Sequence, residues 1–425
     1  MPERVAHSAH AAERAAHSAR AAAPVLVAGA GPVGLSLALA LARAGVAVEV
    51  FEALPQLAKE ERASTFHPPT LEMFEEWGVL APILARGMKI HNLQFWERSS
   101  RKLVADFSYQ CIAKDTPHPF RFQCPQHQVT PLLRDALLAT GRAALHMQHA
   151  LSKFEDVGAG VVARFETPRG PVSRRGRFLC GADGAKSRVR ERLALPLSGK
   201  TYEDRFLLVS SDLDFSRFFP GMGPVSYIFD PEEWVIVMQL VELVRVVFRM
   251  RPDEDEDFAL SEAQIRARIG RFLGAPAEYR IHMRSVYRVH QRVAERFRVD
   301  NVLLLGDAAH VNNPAGGMGM NSGIHDAYHL AQSLVRVLAG EDDELLDEYA
   351  AQRRRVAVES VQRDSDRNYA ALGSRDAEAR NRELRETAAH PQRAREYLLR
   401  ASMLAQRAAQ PPQPAQPAAR EAAAR

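Results

Sequence analysis

The sequence predicts an α/β fold in which a mostly parallel sheet, assembled from separated stretches of chain, carries an inserted antiparallel sheet and a set of C-terminal helices. Three observations predict it. An apolar run at 25–29 (VLVAG) turns through glycines into a helical stretch at 34–43 and then into a second apolar run at 46–51. A further buried-strand pattern, NVLLL, returns at 301–305. Between them, 201–289 reads as strands with one helical interruption near 261–273, the pattern of an antiparallel sheet with one face solvated or lining a cavity.

The 425 residues are enough for two ordinary domains plus extensions, and 46% apolar with 25% charged residues is typical of a globular protein. Lys and Arg total 56 against 52 Asp and Glu, and the net charge of +4 gives no argument for nucleic acid or an anionic membrane as partner. The apolar stretch from Val25 to Ala42 contains Gly29, Gly31, Pro32 and Gly34 and divides into strand, turn and helix, so it is not a membrane span. Cys111, Cys124 and Cys180 form neither a CxxC pair nor a zinc spacing; they read as small buried hydrophobes in a reducing, cytoplasmic setting. Residues 1–23 lack the apolar core of a secretory signal and read as a disordered extension.

Taken in order, Pro24 opens the ordered part, and 25–51 forms a βαβ unit whose helix stops near Gly45. Residues 68–77 read as a helix, and 90–108 alternates around the polar turn RSSRK as a hairpin does. A helix at 129–139 follows Gln126, then strands at 160–166 and 177–180. Further strands are expected at 206–213, 225–229, 234–240 and 243–250, with the acidic run 253–257 as a solvated turn. After 301–305, a glycine-rich loop leads to helices over 321–339 and 344–370. The parallel part thus comprises 24–90, 120–200 and 290–345, and the inserted part 91–119 and 201–289. C-terminal helices occupy 346–405, and 406–425, rich in Pro, Ala and Gln, reads as a disordered tail.

The turn Gly29-Ala30-Gly31-Pro32-Val33-Gly34 sits directly after a strand and opens a helix, the setting in which GxGxxG marks a Rossmann-like dinucleotide site. Gly29 allows the tight turn, Gly31 lets a pyrophosphate approach the backbone, and Gly34 lets helix and strand pack closely. Free N–H groups at the helix start attract the phosphates. Glu52 ends the second strand, 18 residues after Gly34. A carboxylate there accepts hydrogen bonds from a ribose diol and repels a 2′-phosphate, so the dinucleotide is FAD or NAD, not NADP.

Residues 302–327, VLLLGDAAHVNNPAGGMGMNSGIHDA, favour FAD. A strand delivers Gly306 and Asp307 to the C-terminal sheet edge, where Asp307 is placed to bond polyol hydroxyls. The run Gly316-Gly317-Met318-Gly319-Met320-Asn321 then puts bare N–H groups at a helix start, which suits the negative charge of a reduced flavin.

A third fingerprint runs from Gly181-Ala182-Asp183-Gly184 to Arg190. With GxGxxG, DG and GD motifs in this order across 29–327, the sequence resembles the class A flavoprotein monooxygenases, the family of para-hydroxybenzoate hydroxylase and related aromatic ring hydroxylases. The resemblance implies a discontinuous, GR2-type FAD-binding domain with an inserted substrate domain. It implies that Glu52, with Ala53 beside it, holds the adenosine ribose, that Arg62 contacts FAD, that Gln126 lies near the flavin and that Leu151 makes a backbone contact to adenine. Asp307 is implied at the ribitol chain, Pro314 at the reacting edge of the ring, and 316–321 along its pyrimidine side. Asp183 and Arg190 are implied to organise the FAD region and to influence NAD(P)H use. The implied chemistry is reduction of FAD by NADH or NADPH, formation of a C4a-hydroperoxide with O2, and attack of its outer oxygen on an aromatic or heteroaromatic substrate. This family needs no second GxGxxG for NAD(P)H, and none is present. One departure is that the roughly 80 residues after the helix ending near 340 are too few, and too rich in Arg, Ala and Pro, for the thioredoxin-like domain many relatives carry.

Tyr202, Tyr227, Gln239, Arg249, His282 and Arg284 are candidates for the substrate region, with Tyr227 on one strand face with Val225 and Phe229. Ordinary packing in a sheet accounts for any of them, and none is singled out as catalytic. His325 and His329 lie four apart with Asp326 between them, but the glutamate of HExxH and a third ligand are missing, so no metal is expected. His310 reads as structural or as a support behind the site residues, and the Arg run 353–355 as a solvated helix face. The alternatives are another FAD reaction on the same scaffold, such as halogenation or double-bond reduction, or a flavin-binding protein without a substrate. No Trp-rich halogenase-like signature is present, and a carrier has no use for the inserted sheet. Monomer and homodimer are both compatible with the pattern.

Overall fold

The computed structural model describes residues 23–59, 63–230, 233–314, 316–372 and 376–408. The expected extension before residue 23, the tail beyond 408 and Arg62 lie outside the described residues.

Val25–Ala28 is buried at all four positions, as a strand with partners on both sides and cover on both faces must be. It pairs in parallel with Phe178–Gly181 on one side and Val48–Glu52 on the other. Val302–Leu304 and Ala143–Met147 extend this sheet in parallel, and Arg298–Val299 closes one edge antiparallel. The helix Pro32–Arg43 crosses over between the first two strands and packs against Gly319–Leu338 and Gln126–Ala139. On the opposite face, a meander of Ala150–Asp156, Val161–Glu166 and Val172–Gly176 lays Val161, Ala163 and Phe165 against Leu26, Ala28 and Leu179. Among the described residues, no helix is long and apolar enough to cross a membrane.

Among the described residues the inserted sheet has eight strands. Its longest two, Leu197–Ser211 and Ile281–Ala294, are antiparallel partners. Each crosses one of the divisions expected at 200/201 and 289/290, so this sheet grows directly out of the parallel part. Val244–Arg249, Val235–Gln239 and Val225–Phe229 follow, each antiparallel to the last, and the hairpin Asn92–Glu97 with Lys102–Ser108 completes the edge. A wholly antiparallel sheet is corrected at one pair: Val225–Phe229 runs parallel to Asn92–Glu97. All of 98–224 lies between these two strands, so no tight turn forces them to run antiparallel.

Side chains alternate across this sheet with a period of two. Leu207, Val209, Ile228, Val235, Val237, Val246 and Phe248 pack under the helix Glu262–Leu273. Phe206, Leu208, Val225, Tyr227, Phe229, Ile236 and Val247 point the other way, toward the C-terminal helices Ala377–Ala389 and Pro391–Ala401.

Several local expectations are corrected. The Arg run does not lie on a solvated face throughout, because Arg353 is wholly buried and its Nε donates to Asp326 Oδ1 at 2.6 Å. The acidic run is no free turn: Asp255 caps the helix Glu256–Leu260 through the Phe258 N–H, and Glu254 meets Arg268 at 2.6 Å. Cys124 and Cys180 are buried, but Cys111 is exposed, because Tyr109 and Ile112 take the inward positions of its single helical turn. The short helix Ala405–Ala408 occupies the start of the segment read as disordered tail.

Candidate active site

Gly29 has φ +101°, and a Cβ there would stand 2.4 Å from the Ala182 carbonyl oxygen. At Gly34 a Cβ would stand 2.1 Å from the Gly29 carbonyl oxygen. The chain itself therefore requires both glycines. Gly31 is different, since it has an ordinary φ of −72° and nothing within 4 Å of a Cβ built on it. That space lies at the start of the helix Pro32–Arg43, which has no side-chain cap and no acidic residue in its first turn. Its first N–H groups are left for an anion. Beside them, Glu52 accepts from the Ala30 N–H at 2.8 Å and from the Leu54 N–H at 3.0 Å, so its carboxylate is already held at the turn.

The second glycine turn repeats the device. Gly316 and Gly317 have φ of +101° and +69°. The helix Gly319–Leu338 begins with neither a side-chain cap nor an acidic residue, and Gly319 again has nothing within 4 Å of a Cβ. A cavity of about 1130 Å³ joins the two helix starts. Gly29, Ala30, Gly31, Pro32, Val33, Glu52, Ala53, Gln126, Leu151, Asp183, Asp307, Pro314, Gly317, Gly319 and Met320 line it, together with Phe51, His149 and Phe165 at the Leu151 end. Two open glycines over uncapped helix starts, a carboxylate at one end and the exposed Asp307 between them fit an extended FAD.

Five expected cofactor residues do not line the cleft: Gly34, Gly306, Gly316, which borders the recess beyond it, Met318, which is wholly buried, and Asn321. Gly34 and Gly306 serve close packing, since a Cβ at Gly306 would come within 3.1 Å of Val33. The Asn321 side chain is wholly buried and does not line the cleft. Its Oδ1 accepts from the His67 N–H at 2.9 Å and from Thr70 Oγ1 at 2.7 Å, while Nδ2 donates to the Thr65 and Gly317 carbonyls at 2.8 Å. A buried amide must satisfy its polar atoms, and here protein partners do so on both its ends.

Asp183 accepts from Ser187 Oγ at 2.5 Å and from the Arg188 N–H at 2.7 Å, though burial still raises its pKa above the ordinary carboxylate value. Arg190 ties this loop to the next one by donating to the carbonyls of Ala185 at 2.8 Å and Ala308 at 2.9 Å. Asp326 Oδ2 accepts from the Gly306 N–H at 3.0 Å and lies 2.7 Å from His310 Nε2, which makes His310 part of the support under the turn. His325 bonds Thr70 Oγ1 at 3.1 Å, and among the described residues no three metal-ligating side chains converge.

Beside Pro314 the cleft continues into a recess of about 70 Å³ walled by Phe206, Tyr227, Trp234, Ile236, Met238 and Tyr287, with Arg121 and Asn313 also lining it. Of the substrate-region candidates, only Tyr227 lines it. Tyr202 bonds Asp366 and Gln291, and Arg249 pairs with Asp204 at 2.9 Å. Gln239 and Arg284 are exposed, and His282 is exposed near Asp212 at 3.8 Å.

Sequence reasoning misses Arg121, Trp234, Met238, Arg245 and Tyr287. A signal existed for Arg245, which lines the main cleft: it is the one charge in the run VRVVF, and alternation sets it opposite Val244 and Val246. Arg121 had none. Its strand, Arg121–Gln123, is three residues long and lies between Thr65–Phe66 and Met88–Ile90, a sheet too small to mark itself in the pattern.

Residues 22–364 match the family described as FAD binding domain. The para-nitrophenol 4-monooxygenase of Pseudomonas sp. strain WBC-3 is 33% identical over 369 residues, covering 84% of this chain and 89% of that protein. The 6-hydroxy-3-succinoylpyridine 3-monooxygenase of Pseudomonas putida strain S16 is 33% identical over 348 residues, covering 79% and 86%. The crystal structure of the p-nitrophenol 4-monooxygenase of Pseudomonas putida DLL-E4 superposes with a TM-score of 0.84 at 30% identity, covering 89% of this chain and 98% of that one. An aklavinone-11 hydroxylase in complex with FAD and aklavinone superposes at 0.74 and 30% identity, covering 84% and 70%. The chain belongs to the FAD-binding-domain family, among its class A flavoprotein monooxygenases.

Proposed function

We propose that this enzyme hydroxylates a small, single-ring aromatic or heteroaromatic substrate, with NADH or NADPH as electron donor and O2 as oxygen source. The observation that carries the reading is the recess beside Pro314, which is small, aromatic-walled and open to the stretch of cleft at Gly317. Bound FAD supplies the redox chemistry and the activation of oxygen. The cofactor roles of the residues lining the cleft, and the division into FAD-binding and substrate parts, belong to the same proposal. The names of the two relatives, a nitrophenol and a pyridine monooxygenase, support it.

The chain's own residues do four things. Phe206, Trp234, Ile236 and Met238 bury the ring and exclude water. The uncapped helix start at Gly319 favours negative charge on the reduced cofactor. Asp307 and Glu52 hold cofactor hydroxyls, and the Tyr227 hydroxyl offers a hydrogen bond to a ring substituent. Three unpaired cysteines suit a reducing, cytoplasmic setting.

FAD-loaded protein should oxidise NADH or NADPH slowly alone and faster with substituted phenols or hydroxypyridines, forming a hydroxylated product. Stimulated oxidation that yields only hydrogen peroxide with all such compounds would overturn the reading.

A further inference from the structure

Arg121 is 3% exposed and lines the recess beside Pro314. Its Nη2 donates to the Ala401 carbonyl at 3.0 Å, the Tyr109 and Tyr227 hydroxyls lie within its hydrogen-bonding reach, its Nε has no hydrogen-bond partner, and the groups that act on its charge among the described residues include no carboxylate. The charged and titratable groups around it are Tyr109, Tyr227, Tyr397 and His67. Phenols ordinarily ionise near pH 10. Burial raises Tyr109 to about 12 and Tyr397 further, while burial first, and then the Arg121 charge, lowers His67 to about 3. At neutral pH the guanidinium is thus a buried cation with no anion beside it.

Such a charge is costly to leave without a counter-charge. A hydrophobic side chain on this three-residue strand would pack at no such cost, so a partner that arrives with the ligand accounts for the arginine. We propose that Arg121 is the anion receptor of the substrate recess, and that the enzyme selects a ring bearing an anionic oxygen, such as a phenolate or carboxylate, set on Arg121 with the Tyr227 hydroxyl beside it. This rests on the aromatic hydroxylation proposed above and adds the charge of the substrate and the residue that reads it. It also gives the C-terminal helix a part in specificity, because the Ala401 carbonyl at the end of Pro391–Ala401 orients the guanidinium.

The test is equilibrium binding to the FAD-loaded enzyme without reductant, read from perturbation of the flavin absorption band. The probes are para-nitrophenol above its own ionisation, para-nitrotoluene, in which a methyl replaces the charged oxygen at nearly the same size, and benzoate. The wild type is expected to prefer nitrophenolate over nitrotoluene at least tenfold and to bind benzoate. In Arg121→Met the preference should fall to near unity, in Arg121→Lys it should largely return, and in Tyr227→Phe it should weaken less. A purely structural Arg121 would shift the affinities of both probes together and leave their ratio unchanged. Equal binding of the two probes by the wild type overturns the proposal, as does a preference that survives in Arg121→Met. If Arg121→Met does not retain flavin, the wild-type ratio and the lysine variant decide. Neutral aromatics that bind and are hydroxylated as well as anionic ones would sink the anion receptor and leave the hydroxylase reading standing; failure of every aromatic to bind or be turned over would sink both.

Discussion

The guanidinium of Arg353 donates to the carboxylate of Asp326 at 2.6 Å with both side chains wholly buried. The same carboxylate holds the Gly306 N–H and His310, so one ion pair ties the helix after the second glycine turn, the turn carrying Asp307 and the C-terminal helix Glu344–Val356 into one unit.

Arg353→Met should therefore destabilise the protein by about 3–5 kcal/mol, since it leaves Asp326 buried without its guanidinium partner. Arg353→Met combined with Asp326→Asn should cost less than Arg353→Met alone; urea unfolding checks both. Burial by itself would raise the Asp326 pKa, but the charges of Arg353 and His310 hold it well below the ordinary carboxylate range. A depressed carboxylate contributes stability that is present above its unfolded value of about 3.9 and is lost as pH falls below it. The pair should thus leave stability flat from pH 7 to 5, and Asp326→Asn should shrink the loss seen below about pH 4.

His67, together with His329, shapes the pH dependence at milder acidity. It is fully buried with Nε2 on the Gly316 carbonyl at 2.9 Å, and burial first, then Arg121, lowers its pKa to about 3. The unfolded chain binds a proton near pH 6.5 while the folded one does not, so this group costs stability as pH falls from 6.5 toward 3. At pH 5 the loss should be about 2 kcal/mol. Urea midpoints measured from pH 7.5 to 5 should show this slope in the wild type and a flatter one in His67→Gln.

The open space at Gly31 separates cofactor binding from folding. In Gly31→Ala the added Cβ meets no chain atom within 4 Å, so the apoprotein should unfold at nearly the wild-type midpoint while FAD affinity falls at least tenfold. Gly29→Ala, with its Cβ 2.4 Å from the Ala182 oxygen and φ +101°, should lower both. Flavin fluorescence on titration and thermal unfolding of the apoprotein give the two readouts. Equal loss of stability in the two variants would contradict the assignment of Gly31 to the cofactor.

What lay along the chain was legible. The first βαβ unit, both glycine turns, Glu52 and Asp307 were all readable because backbone turns and helix starts are local features, specified by residues a few positions apart. Fifteen of the expected cofactor residues accordingly meet in one cleft. The failures share one cause. Asn321, Arg353 and Arg121 sit in segments whose local pattern is ordinary, and their roles come from partners 254, 27 and 280 residues away. The sequence by itself determined the fold class and the two glycine turns that open the helices at the cleft. Only the tertiary structure decided which side chains wall the substrate recess, because long-range packing, and not local spacing, chooses which face of each strand and helix is closed off from water.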